Sequence, residues 1–169
     1  MTLDIAVLAG VLLAIGLILF HTMVTGVPPM PTSGGGRRAL IGLLEKAPSD
    51  DPQGVVYELG SGWGGLAFAL ARRYPRKTVR GIEVSILPWA ASKLRLIVRP
   101  QPNLSFRRGD FHDRPLNDAG LVVCYLFPDG MEKLKPKLES ELAEGALVLS
   151  NTFAMPGWKP ERVARAGDI

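Results

Sequence analysis

Three acidic residues and a run of glycines carry the chemistry that can be read directly from this chain. The run is Glu58-Leu59-Gly60-Ser61-Gly62-Trp63-Gly64-Gly65. Glycine permits sharp turns and lets a backbone approach a ligand closely, and the N–H groups at a helix start can then face that ligand. Glu83 follows about 20 residues on, the spacing expected of an acid that bonds ribose hydroxyls. Asp110, beside Phe111 in Arg107-Arg108-Gly109-Asp110-Phe111, falls where an adenine amine would lie. Glu58 stands immediately before the turn, where a carboxylate meets an ammonium and repels a pyrophosphate. Gly60, Gly62 and Gly65 also satisfy the dinucleotide pattern G-x-G-x-x-G. Glu58, Asp110 and the lack of a second domain for a hydride acceptor favour S-adenosylmethionine (SAM) over a dinucleotide. On this reading Glu58, Gly60, Ser61, Gly62, Gly64, Glu83, Asp110 and Phe111 hold the cofactor.

These residues need elements that place them on one edge. The pattern predicts a strand over 54–58, a helix over 64–74 stopped by Pro75, and a strand over 78–83. A helix follows, capped by Ser85, with Pro88 in its first turn and Pro100 beyond its end. Further strands are predicted over 104–107 and 121–126, the latter a nearly pure apolar run of the kind buried at the centre of a parallel sheet. Leu134, Leu138 and Leu142 mark a helix kinked or split at Pro136, and a fifth strand spans 146–153. Strands alternating with helix-length segments imply a doubly wound, mostly parallel α/β sheet of Rossmann-like type. Tyr125 and Phe127 then fall at the end of the central strand, where open α/β sheets bind ligands. Asn151 and Trp158 are candidates for the same pocket. Cys124 is expected in the core, and His112 beside the adenine.

The first part of the chain is different. No charged side chain occurs from Ile5 to Gly36, and the apolar run Ile5 to Val24 is long enough to cross the ~30 Å hydrocarbon core of a bilayer. Met1-Thr2-Leu3-Asp4 is not the basic start of a signal peptide. All 20 Lys and Arg lie beyond residue 36, which places the N-terminus outside and the remainder in the cytoplasm. The single cysteine excludes an intramolecular disulfide. One cysteine and two distant histidines offer no metal-ligand spacing. A net charge of +4 suits a domain lying on an anionic leaflet and does not by itself point to nucleic acid. The expected organisation is a transmembrane anchor over 1–27, a Pro/Gly connector with a short helix from Arg37 over 28–53, and a SAM-binding domain over 54–169.

Glu58 to Gly64 resembles the E-x-G-x-G-x-G motif of class I SAM-dependent methyltransferases. Tyr125-Leu126-Phe127-Pro128, the Leu-rich helix Met131 to Leu142, and Ser150-Asn151-Thr152-Phe153 with Pro156, Trp158 and Pro160 resemble a narrower group. So does Pro28 to Thr32 after a hydrophobic helix. This group is the membrane-anchored lysine methyltransferases typified by the ATP-synthase c-subunit enzyme, and the likeness covers most of residues 26–167. It implies a SAM-dependent protein-lysine N-methyltransferase acting on a membrane-associated protein, with Tyr125, Phe127 and Asn151 at the acceptor. A lipid, quinone or other small-molecule acceptor is the alternative, and a non-catalytic membrane adaptor a third reading. A nucleic-acid base is disfavoured because the fourth strand ends without an N-P-P-Y-type motif. Two departures stand out. Trp63 occupies a loop position where the group usually has Asp. The chain also stops where the group adds a further strand, which leaves a sheet edge open; a homodimer partner would cover it, or the chain is truncated.

Overall fold

The computed structural model describes residues 4–5, 7–12, 15–16, 32–45 and 52–165. Within the expected span over 5–24, the described residues are helical and exposed, and the others lie outside the description. Among the described residues no helix is long and apolar enough to cross a membrane.

Five parallel strands form one sheet. They are β1 (Val55–Leu59), β2 (Val79–Glu83), β3 (Leu104–Arg108), β4 (Ala119–Cys124) and β5 (Leu147–Ser150), in the order β3-β2-β1-β4-β5. The order reverses between β1 and β4, and a crevice opens at that switch point beyond the carboxyl ends of the strands. The helices are α1 (Gly34–Glu45), α2 (Gly65–Arg73), α3 (Ile86–Val98) and α4 (Pro128–Glu141), with a short 3-10 turn at Phe111–Asp113.

Register divides the side chains into two faces. Val56, Val79, Leu104, Phe106, Leu121 and Val123 join Leu40 and Leu44 of α1 and Leu66, Phe68 and Leu70 of α2 in one core. Tyr57, Leu59, Ile82, Val122 and Cys124 form the other with Met131, Leu134 and Leu138 of α4. The helix expected within a connector is therefore part of the folded core. On the second face β3 reaches β4 by the 3-10 turn alone. There Arg80 donates to the Tyr57 hydroxyl at 2.7 Å and to Asp118 at 2.8 Å, and the Tyr57 hydroxyl donates to Asp118 at 2.8 Å.

Several boundaries differ from those expected. Helix α1 starts at Gly34 rather than Arg37, because the Ser33 hydroxyl accepts from Gly36 N–H and caps glycines that would not hold a helix alone. Strand β4 runs 119–124, not 121–126, and β5 is four residues, so Tyr125 and Phe153 lie beyond the strands. Helix α4 begins at Pro128, where the missing N–H is harmless, and continues unbroken through Pro136. Ser85 sits at the N-cap of α3, but its hydroxyl makes no capping bond. Asn103 draws together the end of α2, its amide donating to the carbonyls of Ala71, Tyr74 and Lys77 at 3.0, 3.0 and 3.1 Å.

Candidate functional site at the switch point

The turn from β1 to α2 places Gly60, Gly62 and Gly64 at φ of 71°, 51° and 74°. At Gly64 the requirement is double, since a Cβ would also meet the Phe106 ring at 2.7 Å. At Gly62 a Cβ would meet nothing within 4 Å, so the middle of the loop borders open space. Gly81 of β2 is a functional position that sequence patterning missed. A Cβ there would strike Phe106 at 2.7 Å and Ser61 Oγ at 2.9 Å, so its smallness lets the loop settle on the sheet.

The loop's N–H groups are largely engaged within the protein. Gly60 and Ser61 both donate to the Ile82 carbonyl at 2.9 Å, and Gly64 donates to the Ser61 carbonyl. Gly62 donates to Glu83 Oε2 at 2.6 Å, while Ser85 N–H donates to Glu83 Oε1 at 2.8 Å. Glu83 therefore ties the glycine loop to the start of α3. It is buried at the crevice, and each oxygen retains capacity for one more donor.

Glu58 lies beneath the same loop and is only 6% exposed. Its carboxylate accepts from the Ala67 N–H in the first turn of α2, yet Oε2 has no partner among the described residues. Burial pushes its pKa from 4.5 up to about 8, against the Ala67 bond and with help from the Glu83 charge. Ser61 Oγ is buried and unpartnered as well. Buried polar atoms without partners are rare in folded proteins, and those that exist usually await a ligand or water. A ligand with a cationic head beside Glu58 and a diol beside Glu83 would satisfy both acids. SAM has such groups, so the residues present fit it.

Asp110 caps the 3-10 turn, accepting from His112 N–H at 2.8 Å, and the Phe111 and His112 rings lie 4.5 Å apart. Both Asp110 and His112 are exposed at the β3 end of the crevice.

Across the switch point, Leu126 comes within 3.7 Å of the position a Gly60 Cβ would occupy. The loop after β4 thus touches the glycine loop. Tyr125 stacks on Phe153 with centroids 6.4 Å apart, and Phe127 lies 5.4 Å from Phe153. In sequence Phe153 appears only as the last residue of the Ser150-Asn151-Thr152-Phe153 motif, with no role of its own. Asn151 holds this turn in place, its N–H donating to the Cys124 carbonyl at 2.9 Å and its side-chain oxygen accepting from Thr152 Oγ1 at 3.3 Å. Thr152 takes a left-handed φ of 69°, which β-branched residues avoid, and this turns the chain so that Phe153 faces the two aromatics. Trp158 is tethered to α4, its indole donating to Glu139 at 3.1 Å; it packs on the second core rather than joining the aromatic group. Cys124 is buried against Met131, and burial pushes its thiol up to about 11.

Comparison with known proteins decides the class. The profile of the ANTKMT methyltransferase domain matches residues 58–162. The chain belongs to this family. It is a SAM-dependent methyltransferase, of the narrower lysine-methyltransferase group that its later motifs resemble. It is 30% identical over 148 residues to a protein-lysine N-methyltransferase of Saccharolobus islandicus, covering 84% of this chain and 86% of that one. It is 31% identical to the adenine nucleotide translocase lysine N-methyltransferase of Mus musculus, over 68% of this chain and half of the mouse protein. Among solved structures, an RNA methyltransferase of Salinibacter ruber in complex with S-adenosyl-L-homocysteine superposes with a TM-score of 0.72. It is 29% identical and covers 82% of this chain and 89% of that one.

Proposed function

We propose that this methyltransferase is a protein-lysine N-methyltransferase held at a membrane and acting on a membrane-associated protein. The observation that carries the acceptor class is the aromatic group of Tyr125, Phe127 and Phe153 beside the glycine loop. The lysine-methylating relatives support it. Residues 5–24 supply the tether, oriented with the N-terminus outside and the SAM domain cytoplasmic, because all basic residues follow residue 36.

When bound, SAM supplies a methyl group on a sulfonium, a leaving group that needs no acid. The protein's own work is alignment and desolvation. Glu58, once ionised, pairs with the ligand's ammonium, and Glu83 accepts from its ribose hydroxyls while keeping the loop bonds to Gly62 and Ser85. Gly60, Ser61, Gly62 and Gly64 provide the close floor, and Asp110 and Phe111 the adenine end. A lysine acceptor must first lose its proton, since its unperturbed pKa is ~10.4. The aromatic walls of Tyr125, Phe127 and Phe153 hold the ammonium by cation–π attraction as it enters, and a dry pocket lowers its pKa. The proton passes to solvent. The Asn151 side-chain oxygen, at the pocket's edge, accepts from the remaining amine N–H and turns the nitrogen lone pair toward the methyl carbon. With SAM bound, the methyl would pass in line from the sulfonium to that nitrogen, leaving the sulfide as S-adenosylhomocysteine.

Incubating the full chain with membranes and radiolabelled SAM tests this, followed by mass spectrometry of labelled peptides. Methyl-lysine in a membrane protein is the expected product. Label confined to lipid or quinone fractions would replace the acceptor. The likeness to the Salinibacter RNA methyltransferase motivates a second reading, an RNA acceptor, and label in nuclease-sensitive material would establish it.

A further inference from the structure

Helix α3 buries only Pro88 and Ser92 fully, with Trp89 and Leu96 packed partly on the core. Its opposite face is apolar and open to solvent. Ile86, Leu94, Ile97 and Val98 are 49%, 62%, 73% and 70% exposed, and Ala90 lies between them. At 100° per residue Ile86, Ala90, Leu94 and Ile97 fall within one continuous strip, with Val98 at one border and Lys93 at the other. Exposed Val84 extends the strip to the rim of the crevice. Folded monomers seldom leave a contiguous apolar strip of this kind uncovered.

Its surroundings say what covers it. The Arg95 guanidinium lies 4.6 Å from the centre of the Phe68 ring, between α2 and α3; burial lowers its pKa, and repulsion from Arg99, Arg37 and Arg72 nearby lowers it further. Among the described residues none of these four is ion-paired. A cluster of cations kept together without acids needs external anions. A second copy docking by the same face would bring two such clusters together, and the repulsion opposes it. An apolar strip bordered by Arg and Lys is the composition of a helix lying in the interface of an anionic bilayer. Helix α1, which follows the uncharged segment, belongs to the same helical layer.

We propose that the outer face of α3 rests on the anionic leaflet of a lipid bilayer, with Leu94, Ile97 and Val98 in the headgroup boundary and Arg37, Arg72, Arg95 and Arg99 meeting lipid phosphates. The proposal has its own observations and does not need residues 5–24 to span. It sets the crevice mouth, through Val84 and Ile86, at headgroup height.

The test uses the full chain with an environment-sensitive fluorophore on Ile97→Cys; native Cys124 is buried and unreactive. In vesicles of phosphatidylcholine and phosphatidylglycerol at 7:3, emission should shift to the blue, and spin-labelled lipid should quench at least half of it. The same label on Lys159→Cys should stay in water. Arg72→Gln with Arg99→Gln, or added salt, should reduce the quench several-fold. Equal quenching in phosphatidylcholine alone would overturn the proposal. So would a blue shift that grows with protein concentration without lipid, which would assign the strip to another copy. Flotation of the same samples reports the tether separately: chain that floats with an unquenched label refutes the α3 contact and leaves the tether standing, whereas a quenched label on chain that does not co-float does the reverse.

Discussion

The two halves of the crevice are built by different means. The half proposed to hold the cofactor, from Glu58 to Glu83, is held by bonds from backbone N–H groups. Ile82 takes two loop N–H groups and Glu83 takes one from the loop and one from α3, at 2.6–2.9 Å. The half proposed for the acceptor rests on ring contacts of 5.4 and 6.4 Å and on a turn pinned by Asn151 and Thr152. Backbone bonds fix position whatever ligand comes. Stacked rings fix chemistry while leaving latitude in shape. The difference suits a constant cofactor and an acceptor that arrives as part of a larger molecule.

The strongest way to break this contrast is at Glu83. Glu83→Ala removes the acceptor for two N–H groups, one buried and one half-buried, and for the ribose, so SAM affinity should fall by about 2–3 kcal/mol, or about 30- to 150-fold. Isothermal titration would show it, and wild-type affinity in the variant would mean that the loop holds itself.

Glu58 sharpens the same half through pH. Its pKa is raised to about 8 by burial. Its contribution to the stability of the ligand-free protein is therefore fully present below pH 4.5 and is lost as pH rises through about 8. In the proposed role, pairing with the ligand's ammonium needs the ionised form. The dissociation constant for S-adenosylhomocysteine should fall about tenfold per unit from pH 6 toward 8 and then level. Glu58→Gln should bind weakly and without this slope. A slope unchanged in the variant would remove Glu58 from the site.

On the acceptor side, Phe153→Ala should lower kcat about 3- to 30-fold, the range of one cation–π wall, with SAM affinity within about twofold of wild type. Loss of both together would mean that the halves are not separable. The smallest effect is expected at Trp158→Phe. It deletes one bond to Glu139 outside the crevice, so stability should drop by about 1 kcal/mol or less and kcat should hold.

That Glu58, the glycines and Glu83 share one edge was legible in the sequence because the arrangement is local. Glu58, the glycines and Glu83 lie on one β-α-β unit, and spacing alone puts them on the same edge. The bonding was not legible. Nothing in the pattern says that Glu83 receives Gly62 and Ser85, or that Gly81 is small because Phe106 crosses over it. Pro136 suggested a break that α4 does not show, since its packed leucines outweigh one missing N–H. The place of Phe153 in the aromatic group was missed because it joins Tyr125 only after β5 pairs with β4.

By itself the sequence determined the alternation of strands and helices, the acid-and-glycine turn, and a charge-free start followed by a basic remainder. Each depends on residue type at short range: turn geometry, hydrophobic period, solvation of charge. Only the tertiary structure decided which N–H groups remain engaged, which acid is left buried and unpaired, and which aromatics share a wall. It also exposed the apolar side of α3, whose sequence reads as an ordinary core helix. Those properties depend on what the sheet brings within a few ångströms, and no spacing along the chain contains that information.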